Sequence, residues 1–301
     1  MKKRTIFAII ALVLIISMVS SLSACGSKDK ITIGSKQFTE NILLGEMYAQ
    51  IIEAKTDIKV ERKLNLGGTS VCQPAISKGE IDMYFEYTGT AFNEILDHEL
   101  EPNTTGEEIL AVCKKELNDN YNITMFDPLG LDNTFAVAIK TSKLEELGIK
   151  KLSELSEISD QMRFGANHLF YTRVHDGYDG LVSTYNLNFK EALKMDSSLL
   201  YEAADTGDLD VIIVYATDSL LRKYDMTCLE DDKTLFPPYE GAPICRNEIL
   251  EKHPELKTIL NSFAGAIDDT TMQELNYQVD VEQRSVEEVA KEFLTGNGYI
   301  G

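Results

Sequence analysis

The stretch Ile31-Thr-Ile-Gly-Ser-Lys-Gln-Phe-Thr-Glu40 passes from strand through turn into helix. Ile31-Thr-Ile33 places β-branched residues in a row and reads as a strand, while Gly34 to Thr39 supplies turn chemistry. Over 40–54, Ile42, Leu43, Met47, Ile51 and Ala54 recur at helical spacing. Working outward, 60–64 returns as a strand, Gly67-Gly68-Thr69 opens a helix through Ile76, and Ile81-Asp-Met-Tyr-Phe85 is a third strand. Strands alternating with helices predict an α/β lobe built on a largely parallel sheet.

The pattern then restarts. A helix is expected over 104–118 and an apolar strand over 134–139. Short helices over 142–147 and 152–158, a strand over 163–166, a helix over 177–185 and a buried strand over 211–214 follow. Pro237, Pro238 and Pro243 punctuate the chain, and 247–294 is helix-rich. Thr270-x-x-Gln273 and Ser285-x-x-Glu288 are expected capping boxes, with Gly296 as a C-terminal stop.

The chain has 301 residues, enough for two domains or lobes at about 150 residues each. Hydrophobic residues at 44% and charged residues at 26% describe a folded body and exclude wholesale disorder. Asp and Glu number 49 against 29 Lys and Arg, for a net charge of −20. That charge repels nucleic acid phosphates and anionic headgroups, and no basic run opposes it beyond the N-terminus.

That N-terminus begins Met1-Lys-Lys-Arg4, continues apolar over 6–19 and ends Leu22-Ser-Ala-Cys25, the anatomy of an export signal. The ending resembles a bacterial lipobox. Residues 1–24 are therefore expected to be a lipoprotein signal peptide, with Cys25 lipidated and 25–30 serving as a tether. The folded body is then held at the extracytoplasmic face of the cell membrane.

Four further cysteines, Cys72, Cys113, Cys228 and Cys245, permit two disulfides in three pairings or buried free thiols, and their wide spacing argues against zinc. The tools of an enzyme are missing: the chain has no Gly-x-Ser-x-Gly, P-loop, His-Glu-x-x-His or Gly-x-Gly-x-x-Gly after a strand. Among the four histidines, His175 beside Asp176 has no identifiable nucleophile to serve. A binding protein without catalysis or cofactor is expected.

Three segments narrow the class: Gly34-Ser-Lys-Gln-Phe-Thr-Glu40, Asn65-Leu-Gly-Gly-Thr69 and Gly79-Glu-Ile-Asp-Met-Tyr-Phe-Glu-Tyr-Thr-Gly-Thr-Ala91. Further matches run through Asp132-Asn-Thr-Phe135, Arg173-x-x-Asp-Gly-Tyr178, Tyr215-Ala-Thr-Asp218, Phe236-Pro-Pro-Tyr239 and Leu275-Asn-Tyr277. Together they resemble the glycine betaine, carnitine and choline binding proteins of osmoprotectant ABC importers, over nearly all of 31–295. The resemblance implies a type II periplasmic-binding-protein-like α/β fold, with two lobes, two crossovers and a ligand cleft. Lobe one would be 31–131 plus 234–301, and lobe two 132–233. It also implies a permease and, through it, an ATPase subunit as partners, a monomeric body, and a Gram-positive cell in which the lipid anchor retains the protein.

A quaternary ammonium has a diffuse positive charge, no N–H to donate and an apolar methyl surface. Aromatic faces suit it because the ring quadrupole attracts the cation, at about 0.5 to 2 kcal/mol per well-placed ring. By resemblance the cage positions are Tyr87, Phe135, Tyr215 and Tyr239, with Phe135 standing where the family commonly has tyrosine. Lys36, Gln37, Thr90 and Arg173 match positions for the carboxylate end of a zwitterion, and Tyr84 and Tyr178 read as core. Choline or a histidine-derived betaine such as ergothioneine is the alternative ligand. A surface lipoprotein hydrolase, or an adhesion or sensory lipoprotein with a degenerate pocket, are the alternatives from other classes.

Overall fold

The computed structural model describes residues 29–99, 104–173 and 175–301. The expected export segment and Cys25 lie outside them. Among the described residues no helix is long and apolar enough to cross a membrane. The described residues form ten strands: β1 Lys30–Lys36, β2 Lys59–Gly67, β3 Met83–Tyr87, β4 Ile123–Met125, β5 Phe135–Lys140, β6 Arg163–Ala166, β7 Glu191–Lys194, β8 Val211–Tyr215, β9 Met226–Cys228 and β10 Gly241–Arg246. They form two five-stranded sheets, ordered β2-β1-β3-β10-β4 and β7-β6-β8-β5-β9. In each sheet one strand runs antiparallel to both its neighbours, β10 to β3 and β4 and β5 to β8 and β9, while the other pairs, β1 with β2 and β3 and β6 with β7 and β8, are parallel.

Both faces of both sheets are covered, which is why the central strands β3 and β8 bury residues on both faces rather than alternating with solvent. In β3, Met83, Phe85 and Tyr87 pack toward the helix Thr39–Lys55 and the C-terminal helices. Tyr84 faces the other side, where the helices Thr69–Ser77 and Gly106–Tyr121 lie. The second sheet divides likewise, Val137 and Ile213 packing on one face and Ala138 and Ile212 on the other.

The strand–turn–helix unit forms where the sequence predicts it, but β1 runs on to Lys36, taking over half of the expected turn. β10 is a central strand that the proline pattern conceals. Within a strand a residue's N and C=O point to the same side, and the Pro243 carbonyl accepts from Phe126 N at 3.0 Å, just past the end of β4. Its missing N–H therefore points away from β3, and the pairing of β10 with β3 loses no bond.

The helix Asp269–Asp280 is capped by Asp268, which accepts from Thr271 N, rather than by Thr270. Ser285 caps Val286–Gly296 by accepting from Glu288 N, one half of the expected capping box. The stop comes later than Gly296, with the left-handed residue at Gly298. All four described cysteines are free thiols. Burial pushes Cys72 up to about 11 and Cys113 and Cys228 up to about 12, so they stay protonated and unreactive.

Candidate functional site

The chain passes from the first sheet to the second between β4 and β5, and returns between β9 and β10. The two passages run side by side and antiparallel, bridged at Asp132 and Glu240. Asn133 N donates to Tyr239 O at 3.2 Å, Gly241 N to Leu131 O at 3.2 Å, and Thr134 Oγ1 to Pro237 O at 2.8 Å. Tyr239 N donates to the Asp132 carboxylate at 2.6 Å. Beside these passages opens a cleft of about 860 Å³ between the sheets. It sits at the C-terminal ends of β1, β3 and β8, where the loops of an open α/β sheet converge and ligands bind.

All eight residues singled out from the sequence line this cleft: Lys36, Gln37, Tyr87, Thr90, Phe135, Arg173, Tyr215 and Tyr239. Phe135 and Tyr215 are direct cross-strand partners in β5 and β8, which stacks their rings at 4.9 Å and 21°. Tyr215 is 41% exposed, so one π face is open to the cleft, whereas Phe135 at 7% is largely covered. Tyr239 lies against the turn Thr88–Thr90, a fit that depends on Gly89. A Cβ there would stand 2.8 Å from both the Tyr239 ring and Pro238 O. Tyr87 is 4% exposed, its hydroxyl donating to Glu40 Oε1 at 2.5 Å. Tyr84 is fully buried and Tyr178 packs against the second sheet's core, as read from the sequence.

The two cations are already engaged within the protein. Lys36 Nζ is paired with the buried carboxylate of Glu86, which also accepts from Tyr84 OH at 3.0 Å and Tyr87 N at 2.7 Å. The ammonium stands 5.1 Å from the Tyr87 ring centroid. Arg173 Nε donates to Asp176 Oδ1 at 2.8 Å, and its guanidinium lies 5.2 Å from the Phe135 centroid. A neighbouring carboxylate and a ring thus hold each cation in place.

Three further cleft residues escaped the sequence reading. Phe38, 39% exposed, stacks against Tyr87 at 6.0 Å and presents a second open ring. Its position inside the quoted opening stretch was the available signal. Glu40 is buried and accepts from Tyr87 OH, Asn133 Nδ2 and Asn276 Nδ2; burial nevertheless raises its carboxyl above the ordinary range. Asn276 falls within Leu275-Asn-Tyr277, with no chemistry of its own to mark it. The helices Thr39–Lys55 and Thr69–Ser77 both begin at the cleft without a side-chain cap, leaving N-terminal N–H groups and positive dipole ends toward it.

Residues 29–296 match the family described as the substrate binding domain of ABC-type glycine betaine transport systems. The chain belongs to this family. The carnitine transport binding protein of Listeria monocytogenes is 34% identical over 306 residues, spanning 100% of this chain and 99% of that protein. An ergothioneine transport permease/ergothioneine binding protein of Helicobacter pylori is 33% identical, covering 97% of this chain but 53% of that longer protein. A crystal structure of a glycine betaine/carnitine/choline ABC transporter superposes with a TM-score of 0.86 at 30% identity, covering 91% and 99% of the two chains. The fold is thus the two-lobed type II binding-protein fold, as the sequence implies. The chain is an extracytoplasmic substrate-binding protein of an ABC importer of the glycine betaine and carnitine class, and works with a permease and an ATPase.

Proposed function

We propose that the cleft captures a zwitterionic quaternary ammonium solute, glycine betaine, carnitine or a close relative, and delivers it to the permease. Tyr87, Phe135, Tyr215 and Tyr239 form the cage, with Phe38 as an additional ring. The observation that carries this reading is the stacked Phe135–Tyr215 pair with the open face of Tyr215 beside Tyr239 in one cleft. Gln37, Thr90, Lys36 and Arg173 take the carboxylate, aided by the uncapped helix starts. Choline is a second reading, favoured by the internal pairing of Lys36 and Arg173, which leaves those cations satisfied without a ligand carboxylate.

Lobes of 31–131 plus 234–301 and of 132–233 close about the paired crossovers, the ligand bridging them so that the closed form becomes the favoured one. The body is monomeric, performs no covalent chemistry and is anchored through lipidated Cys25 on the outer face of a Gram-positive membrane. Calorimetry against glycine betaine, carnitine, choline, proline betaine, ergothioneine and a neutral sugar tests the function. Micromolar or tighter binding of a quaternary ammonium, weakened about two- to thirtyfold by Tyr215→Ala, is expected from the loss of one ring at about 0.5 to 2 kcal/mol. Silence across the panel from folded protein would refute it.

A further inference from the structure

Lys36 and Arg173 line the cleft, whereas the carboxylates that pair with them, Glu86 and Asp176, do not. Glu86 is fully buried on β3, and besides Lys36 it takes Tyr84 OH at 3.0 Å, Tyr87 N at 2.7 Å and Thr69 Oγ1 at 3.5 Å. Asp176 is largely buried and is brought to Arg173 by a tight loop, in which a Cβ on Gly177 would stand 2.6 Å from Arg173 O. Both its oxygens take the guanidinium, Oδ1 from Nε at 2.8 Å and Oδ2 from Nη2. Each cation also sits on a cage ring, Lys36 Nζ 5.1 Å from the Tyr87 centroid and the Arg173 guanidinium 5.2 Å from the Phe135 centroid. A bare cation at either place would repel a quaternary ammonium held by the same set of rings. A carboxylate beside it cancels that repulsion and leaves the remaining N–H groups able to donate.

We propose that Glu86 and Asp176 are specificity-determining residues that act through Lys36 and Arg173, neutralising them so that the cage accepts a monocation such as choline as well as a zwitterion. The inference rests on the quaternary ammonium reading of the cleft. A zwitterion brings its own negative charge to an unpaired Lys or Arg and choline brings none, so losing either carboxylate falls chiefly on choline. One unit charge at about 10 Å, with an effective dielectric constant of about 20, changes binding about tenfold. Glu40, Glu94, Asp218 and Asp280 also line the cleft, and they stay in place when Glu86 or Asp176 is changed.

Titration calorimetry on the intact protein at constant ionic strength, with choline, glycine betaine and carnitine, tests it in wild type, Asp176→Asn, Asp176→Glu and Glu86→Gln. Wild type is expected to bind choline and at least one zwitterion. Asp176→Asn keeps an oxygen for Arg173 without the charge and is expected to weaken choline about tenfold relative to the zwitterions. Glu86→Gln shifts the ratio in the same direction, and Asp176→Glu, which keeps the charge, holds the wild-type ratio. A carboxylate that served only to orient Arg173 predicts the reverse, zwitterions weakened and choline spared. That result, an unchanged ratio in either folded uncharged variant, an equal shift in Asp176→Glu, or a wild type that binds only one of the two ligand classes would overturn the proposal. Failure of all three ligands with folded wild type would instead overturn the quaternary ammonium reading, and this inference with it.

Discussion

Lys36 shows how one residue can be legible in place and hidden in its contacts. Its position in the opening loop put it at the cleft, but a one-dimensional reading has no means of pairing it with Glu86, which arrives from β3 in the middle of the same sheet. The pair is almost completely withdrawn from water, with the Lys36 side chain 5% and the Glu86 side chain 0% exposed. Removing one partner of a buried pair strands the other charge, at about 3 to 5 kcal/mol, whereas removing both charges is often near neutral. Lys36→Met is therefore expected to lower the unfolding free energy in urea by about 3 kcal/mol, and Lys36→Met with Glu86→Gln to recover most of it. A single variant within about 1 kcal/mol of wild type would show the pair to be solvated. Phe38, Glu40 and Asn276 were missed for a related reason. A single aromatic, acid or amide carries no periodic signal, and its role depends on what folds against it.

At the level of elements, the two antiparallel crossovers position Tyr239, and Gly89 lets that ring approach. Gly89→Ala would drive a Cβ into Pro238 O and the Tyr239 ring, and backbone cannot yield as a side-chain tip does. A stability loss of about 1 to 3 kcal/mol is expected with a disproportionate loss of ligand affinity; calorimetry of folded variant giving wild-type affinity would contradict it. The crossovers also carry Asp132, whose carboxyl burial pushes up to about 7, helped by the facing Asp269 and Glu240. An unfolded chain binds that proton with a pKa of about 4. The folded state holds the proton more tightly, so this group's contribution is full below about pH 4 and is lost as pH rises through about 7. Asp132→Asn keeps an oxygen for Tyr239 N without the charge. Its thermal midpoint should match wild type near pH 4 and gain by about 1 kcal/mol equivalent per pH unit up to about 7. A pH-independent difference would contradict that. The elements themselves were readable where periodicity was strong, as in the helix Thr39–Lys55 and in β8. The short strands β4, β7 and β9, and β10 with its proline, were not, because three to six residues paired across the chain acquire their conformation from the partner strand.

Across the whole molecule, the restart of the strand and helix pattern near Thr134 foretold a second sheet, and the helix Asp269–Asp280 ties the two together in a way it did not foretell. Gln273 Nε2 donates to Ala216 O at 2.6 Å, Asn276 Nδ2 to Thr217 O at 3.0 Å, and Asp280 bridges Thr39 and Ser219. These bonds join the helix Asp269–Asp280 to the turn after β8, beside the aromatic pair. The cleft so framed is proposed to recognise positive charge spread over methyl groups, not merely a bulky apolar head. Calorimetry comparing glycine betaine and carnitine with their tert-butyl isosteres, in which carbon replaces the quaternary nitrogen, separates the two directly. Several rings at about 0.5 to 2 kcal/mol each predict that the quaternary ammonium member binds about a hundredfold tighter than its carbon isostere, which keeps the carboxylate but not the cation. Equal affinity within each pair would contradict the aromatic recognition of a cation.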